Sequence, residues 1–527
     1  MRLLLLYLAI TFGLFASEAD LLRLADEDPA VRKAAIETLA ASGDQRLVGF
    51  FDEYAKNSGF TWKGRVVLAL EPDGDLTPLH PLTREKLSPT ALPRSTLSEL
   101  PLTRKDKLAA STAVSRLRLA DPDPAKRLTA VSRTGDAGGP QNRILLAPIA
   151  ANDPDPRIRR SAAEGIALID LASVDAAVRI AGAKTIEELA SSRAGDALKV
   201  VRDKDADPAV RQAAVAALAA IDSHHTVVRT IQTVFSGLSL GSVLIVMALG
   251  LAITFGLMGV INMAHGEMLM VGAYAALLVQ WFFAWALPPS LLPFYFPLGL
   301  VAGFISAGAV GWLLELTVIR HLYGRPLETL LATIGIGQVM IWSVRYGFGD
   351  NQAVVAPAWL TGGWEPMPDL VLPWNRLFII LVTVISVAAV WVLMNRTRLG
   401  LLLRATVQSR RTAASLGVDT RTIDGLTFSL GSGLAGAAGC ALTLIGGLKP
   451  DMGQEFIIDS FLVVAAGGVG NLWGVVCAGL GLGIATKFLE PWTQAVFAKV
   501  LVLAAVILFL QVRPQGLFPP RGRLADV

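Results

Sequence analysis

The chain has 527 residues, 53% of them hydrophobic and 17% charged, with a formal net charge of +4 and a mean hydropathy of +0.53, which excludes one large water-soluble domain. The charge is unevenly placed: residues 1–230 carry 31 Lys/Arg and 30 Asp/Glu, whereas residues 231–527 carry 16 and 13. Water is the expected solvent of the first part and lipid of the second, and neither part has the basic excess of a nucleic-acid binder.

Arg2 precedes an apolar run from Leu3 to Ala16, followed by Ser17, Glu18 and Asp20. That pattern reads as a secretory signal over residues 1–17, too short to span a bilayer comfortably, with an exported domain expected over 18–225. One phrase recurs there: Asp28-Pro29-Ala30-Val31-Arg32, Asp123-Pro124-Ala125-Lys126-Arg127, Asp155-Pro156-Arg157-Ile158-Arg159 and Asp207-Pro208-Ala209-Val210-Arg211. Asp before Pro suits an N-cap with Pro at the first helical position, so each copy is expected to start a helix. After Asp207, Val210, Ala214, Ala217 and Leu218 keep helical spacing, with Arg211 and Gln212 expected to face outward. The units resemble degenerate HEAT-type helical repeats. Residues 60–107, rich in proline, are expected to form an irregular or extended insertion.

From Thr230 to Gly266 there is no Asp, Glu, Lys or Arg, and after Glu267 the next is Glu315. Spans are expected at about 235–259, 268–285, 297–318, 328–344, 377–395, 426–448, 457–486 and 495–512. The 319–327 link holds Arg320 and Arg325, and residues 396–425 hold Arg396, Arg398, Arg404, Arg410, Arg411 and Arg421; these are the inside loops, which leaves 345–376 outside. Eight crossings from an outside start would strand the basic tail outside. A fold-back or double crossing of 457–486 at Gly467-Gly468-Val469-Gly470-Asn471 removes the conflict. Gly237 and Gly241, and Gly433, Gly436 and Gly439, form small-residue surfaces for close helix packing.

Catalytic signals are missing. The chain has no Gly-x-x-x-x-Gly-Lys-Ser/Thr loop and no metal-spaced cluster, and its two cysteines, Cys440 and Cys477, both lie in apolar stretches. His265-Gly266-Glu267 sits at a span boundary, where interfacial capping is the expected role. The run from Gly400 to Leu416 is helix-compatible and ends at Gly417, a natural C′ residue, with Asp419 placed to cap the next span. A short basic helix between two spans is a lever that a partner could grip.

Residues 231–527 resemble the permease subunit of branched-chain amino acid ABC transporters. The resemblance runs through Gly237-Leu238-Ser239-Leu240-Gly241-Ser242, Gly259-Val260-Ile261-Asn262-Met263-Ala264-His265-Gly266-Glu267, the 400–417 loop, Phe428-Ser429-Leu430-Gly431-Ser432-Gly433, Gly467-Gly468-Val469-Gly470-Asn471-Leu472-Trp473-Gly474 and Arg513-Pro514-Gln515-Gly516-Leu517-Phe518. Within that family, the signal and the helical extension are similar to the urea permease branch.

The resemblance implies an all-α protein: a soluble helical-repeat domain, then a polytopic bundle of 8–10 spans over 226–527 in a bacterial inner membrane, with the first domain periplasmic. It implies a transporter subunit and not an enzyme, with no cofactor of its own. ATP would be bound by cytoplasmic ATPase subunits, and a second permease subunit and a periplasmic solute-binding protein would complete the assembly. The coupling loop would use Arg404, Ala405, Arg410, Arg411, Ala413, Ala414 and Gly417, although Thr412 stands where related loops carry Glu. A small solute needs only a few amide or hydroxyl groups along its path, for which Ser239, Thr254 and Asn262 are candidates. Branched-chain amino acids or short amides remain alternative solutes, and an ATP-independent channel or carrier an alternative mechanism.

Overall fold

The computed structural model describes residues 18–69, 76–89, 92–259 and 262–518; the expected signal segment, 1–17, lies outside them. The chain divides into two compact units, Met1–Thr226 and Val227–Val527.

The first unit is an array of short helices: α1 (Glu18–Leu22), α2 (Pro29–Ala41), α3 (Arg46–Tyr54), α4 (Arg104–Leu117), α5 (Pro124–Ala137), α6 (Pro140–Asn152), α7 (Pro156–Leu171), α8 (Ala176–Leu189), α9 (Gly195–Lys204) and the start of α10 (Pro208–Met258). The Asp-Pro phrases do start helices. The carboxylates of Asp28, Asp123, Asp155 and Asp207 each accept the N–H two residues on, at 2.8–2.9 Å. A fifth copy, Asp175-Ala176-Ala177-Val178-Arg179, caps α8 in the same way without a proline. The arginine four residues after each cap turns back and donates to two carbonyls ahead of the cap, as Arg127 does to Asp121 and Pro122. Arg211 follows this rule, bonding the Asp205 and Ala206 carbonyls, and so corrects the expectation that it faces solvent: the guanidinium supplies the donors that these loop carbonyls lack. Arg127 also pairs with Asp153 and Arg179 with Asp205, joining consecutive copies.

The 60–107 insertion is more ordered than expected. Strands β1 (Gly59–Trp62), β2 (Arg65–Leu68) and β3 (Ser98–Glu99) form an antiparallel sheet in the order β2-β1-β3. Its valines and aromatics cover small apolar clusters beside the helices.

The second unit comprises the rest of α10, then α11 (His265–Ala286), α12 (Tyr295–Thr317), α13 (Pro326–Phe348), a hairpin of β4 (Gly363–Met367) and β5 (Leu370–Pro373), α14 (Trp374–Arg396), α15 (Arg398–Gln408), α16 (Arg410–Ser415), α17 (Thr420–Leu442), α18 (Met452–Gly467) and α19 (Leu472–Val512). Among the described residues, seven helices are long and apolar enough to cross a membrane. One of them, α19, bends at Gln494 (φ 67°) just after Pro491, and is two passes. With the 16-residue α18, nine segments among the described residues cross the bundle. The stretch expected as one long span is therefore two antiparallel helices, α18 and the first arm of α19, joined by 468–471.

The ends of this bundle differ. At one end, Arg320 pairs with Glu315 at 2.9 Å, Arg410 pairs with Asp424, and Met258, Ile319 and Phe428 share a cluster. The Leu517 N–H donates to the Ala466 carbonyl at 2.8 Å, and Gly470 approaches Gly256, so residues 517–518 return to this basic end. At the far end, the Tyr295 hydroxyl donates to the Val355 carbonyl, Trp359 Nε1 to the Pro293 carbonyl and Asn375 Nδ2 to the Leu444 carbonyl. Both basic loops share one end, as the positive-inside rule requires, and the fold-back removes the parity conflict.

The expected small-residue surfaces are packing surfaces. Gly237 and Gly241 lie against 479–484 of α19, and Gly436 is wedged between Gly303 and Ala307 of α12 while also meeting Gly272 of α11. Glycine lets backbones approach where lipid offers no hydrophobic drive between helices. The most enclosed helices of the unit are α10 and α17.

Candidate coupling loop and translocation path

The 397–419 segment projects at the basic end. It was expected as one helix but breaks at Ser409, whose backbone is extended (φ −159°, ψ 99°) and whose hydroxyl caps α16 by accepting from the Thr412 N–H. Thr397 caps α15 through the Gly400 N–H. The segment closes as expected at Gly417 (φ 88°): the Val418 N–H reaches the Ala413 carbonyl and the Gly417 N–H the Ala414 carbonyl, a Schellman pattern that requires a left-handed residue. Asp419 then accepts from the Arg421 and Thr422 N–H groups and the Thr422 hydroxyl. The Thr422 hydroxyl and N–H hold its carboxyl below the ordinary value.

The residues named for this loop divide into two sets. Arg404, Ala405, Arg411, Ala414 and Gly417 are exposed, and Leu416 beside them is 80% exposed. Ala413 is buried against the bundle. Arg410 pairs with Asp424 of α17 and lies over the Tyr323 ring, 4.7 Å from its centroid. It is a brace between the loop, α17 and the α12–α13 link more than a free cation.

The three path candidates do not converge. Ser239 and Thr254 stand about 22 Å apart along α10 at the α-helical rise. Ser239 is buried with an unpartnered hydroxyl. The Thr254 hydroxyl donates to carbonyls of its own helix, while its methyl group faces Gly431. Asn262 sits in the turn before α11, where its Oδ1 accepts from the Ala264 N–H at 3.0 Å and its Nδ2 has no partner.

The neighbours of Asn262 carry a correction. His265 and Glu267 are not interfacial: both are buried, and Glu267 is 5% exposed. The His265 ring lies beside Gly250, about two turns before the end of α10, with Nε2 donating to the Met247 carbonyl at 3.2 Å. So α11 begins inside the bundle and not at its surface. The residue pattern marks a helix start there but cannot place it in depth.

Comparison with known proteins decides the family. The branched-chain amino acid transport system permease component family matches residues 233–510. The chain belongs to that family. The permease is 29% identical over 293 residues to the high-affinity branched-chain amino acid transport system permease protein BraD of Pseudomonas aeruginosa, covering 54% of this chain and 95% of BraD. It is 28% identical over 300 residues to LivH of Escherichia coli (54% and 94%), and 24% identical over 309 residues to LivM of the same organism (53% and 69%). The matched family region begins within α10, at residue 233, and leaves the first unit of the permease outside it.

Proposed function

We propose that this permease is the membrane subunit of an ATP-binding cassette importer that carries urea inward by alternating access. Cytoplasmic ATPase subunits would grip the 398–417 loop, a second permease subunit would complete the pathway, and a periplasmic solute-binding protein would deliver the solute to the far end. The chain itself hydrolyses nothing. The first unit, with its helical-repeat array, would be exported to the periplasm.

The observation that carries this reading is the construction of the loop. Its exposed face offers Arg404, Arg411 and Leu416, while the Arg410–Asp424 pair and the Tyr323 contact tie it to α17. A push on such a lever reaches the helix that packs most tightly on α11 and α12, so it can move the bundle interior.

Urea is supported by the polarity of that interior. Among the described residues of the second unit no Lys or Arg is buried; the buried polar groups are hydroxyls, Asn262, His265, Glu267, Glu315 and Asp424. An amino acid's carboxylate would find no side-chain cation there, whereas urea has no charge to neutralise. The second reading, a branched-chain amino acid, is supported by the names of the relatives. Uptake of labelled urea and labelled leucine by liposomes holding the complete transporter separates them: ATP-dependent urea uptake that excess leucine leaves unchanged is expected, and leucine uptake without urea uptake would replace urea by the second reading.

A further inference from the structure

At the far end of the second unit, α10, α14 and α19 enclose an open-mouthed cavity of about 350 Å³, at the small end of the range of ligand pockets. The opening follows from the packing beneath it. Gly237 of α10 has no room for a side chain against the Gly483–Ile484 backbone of α19. One residue earlier on α10 and three later on α19, Ser236 and Lys487 already line the gap between the two helices. Arg229, Thr233 and Ser236 recur at helical spacing and give the cavity one polar face of α10. Arg376 of α14 and Pro491, just before the bend of α19, close the other sides.

This cavity carries positive charge that the chain does not compensate. Lys487 is neutralised by Glu490 at 2.5 Å, but neither Arg229 nor Arg376 has an ion pair among the described residues. Unpaired arginines at the basic end are what the positive-inside rule selects; at the far end that rule gives no reason for them, and Arg345 there does pair, with Asp350. Arg376 is partly buried and comes from the first turn of α14, the positive end of that helix's dipole. The depth of the site is marked by indoles. Trp374, two residues before Arg376, and Trp492, next to Pro491, are 43% and 82% exposed, and exposed tryptophans at the ends of membrane helices sit at headgroup level.

We propose that this cavity is a binding site for the phosphate of an acidic phospholipid: the Arg229 and Arg376 guanidiniums donate to the phosphate oxygens from two helices, and the Thr233 and Ser236 hydroxyls donate beside them. The planar fork of an arginine meets two phosphate oxygens at once. A headgroup of net negative charge supplies the counter-charge that no carboxylate of the chain brings, whereas a zwitterionic headgroup carries its own cation into the same place. Soluble phosphate shares the oxyanion chemistry; the headgroup depth of the cavity favours the lipid. A bound headgroup ties α10, α14 and the bend of α19 together where α10 enters the bundle. The inference goes beyond the importer reading and depends on neither the solute nor the ATPase.

The test uses the full chain purified in detergent, with phosphatidylglycerol, phosphatidylcholine and inorganic phosphate as probes. Phosphatidylglycerol retained on the chain, counted by native mass spectrometry, is expected to bind about tenfold or more weakly to an Arg229→Gln, Arg376→Gln chain, the loss typical of a charge-assisted hydrogen bond. A second measurement needs no variant. Phosphatidylglycerol carrying a photoreactive diazirine in its headgroup is expected to label the wild-type chain within 229–236 or 374–377, and excess unlabelled phosphatidylglycerol to suppress that label several-fold more than phosphatidylcholine does. Equal retention by the wild-type and variant chains, label confined to other segments, or equal suppression by phosphatidylcholine overturns the proposal. Suppression by inorganic phosphate at the same concentration overturns the lipid as occupant. None of these readouts involves transport, so their failure leaves the importer reading standing.

Discussion

The two units solve the same problem, burying backbone and polar groups, with opposite chemistry. The first unit uses charge. Arg32 and Asp106, with side chains 2% and 1% exposed, pair at 2.7 Å, and the repeated arginines satisfy loop carbonyls that no helix reaches. The second unit uses the absence of side chains, with Gly272, Gly303 and Gly436 meeting where three helices cross. A backbone contact between Gly135 and Gly165 occurs in the first unit as well, but there water and apolar clusters share the work. Water lets a domain keep many ionic groups half-solvated, whereas lipid makes each one a liability and rewards close backbone approach. Where the second unit does bury a carboxylate it pairs it, as Glu315 with Arg320 and Asp424 with Arg410. Glu267 departs from that rule.

Three substitutions would sharpen this contrast. Gly436→Leu should have the largest effect, because a Cβ at 436 already falls on the Gly303 carbonyl and the Ala307 methyl. A cost above about 3 kcal/mol is expected, read as loss of monodisperse detergent-solubilised protein; normal recovery would show that the crossing can spread apart.

Asp106→Ala comes next. It strands the buried Arg32 guanidinium at a cost of about 3–5 kcal/mol, read as faster hydrogen exchange in segments 29–41 and 104–117, with the second unit unchanged. The same pair sets a pH dependence. Burial pushes the Asp106 carboxyl up, but the Arg32 guanidinium and the Thr103 N–H and hydroxyl outweigh it and leave the carboxyl below its ordinary value. A carboxyl depressed on folding stabilises the fold fully above its unfolded value of about 4. That contribution is lost as pH falls through the depressed folded value, so exchange in these segments should accelerate only in acid below the ordinary carboxylate range. The smallest effect belongs to Asp155→Ala, which removes one N-cap for about 1 kcal/mol and should speed exchange only in the first turn of α7.

Much of the fold was legible because local chemistry writes it. Asp-Pro specifies a cap and a first turn, Gly417 specifies a left-handed stop, and charge-free runs specify spans. Asp175 lacks the Asp-Pro signature because Ala176 replaces the proline, although its carboxylate caps α8 in the same way. The Ser409 break escaped because the run around it is made of good helix formers, and only the hydroxyl cap onto the Thr412 N–H reveals the second start. For the candidate site, the exposed half of the loop was legible from its arginines. The bracing role of Arg410 was not, since Tyr323 and Asp424 reach it from different elements. The depth of His265 and Glu267 was hidden for the same reason: it depends on Gly250, Gly337 and Gly453, which only the folded bundle brings near.

The central claim is that the basic-end loop converts ATPase motion into movement of the bundle. Its most direct test is ATP-driven solute uptake, together with ATPase co-purification, by an Arg404→Glu, Arg411→Glu permease in which Arg410 keeps its brace to Asp424. The variant bundle should be recovered intact with uptake reduced at least tenfold, through weakened ATPase assembly or uncoupled hydrolysis. Wild-type uptake by that variant, or uptake by the wild-type permease that needs no ATP, would contradict it.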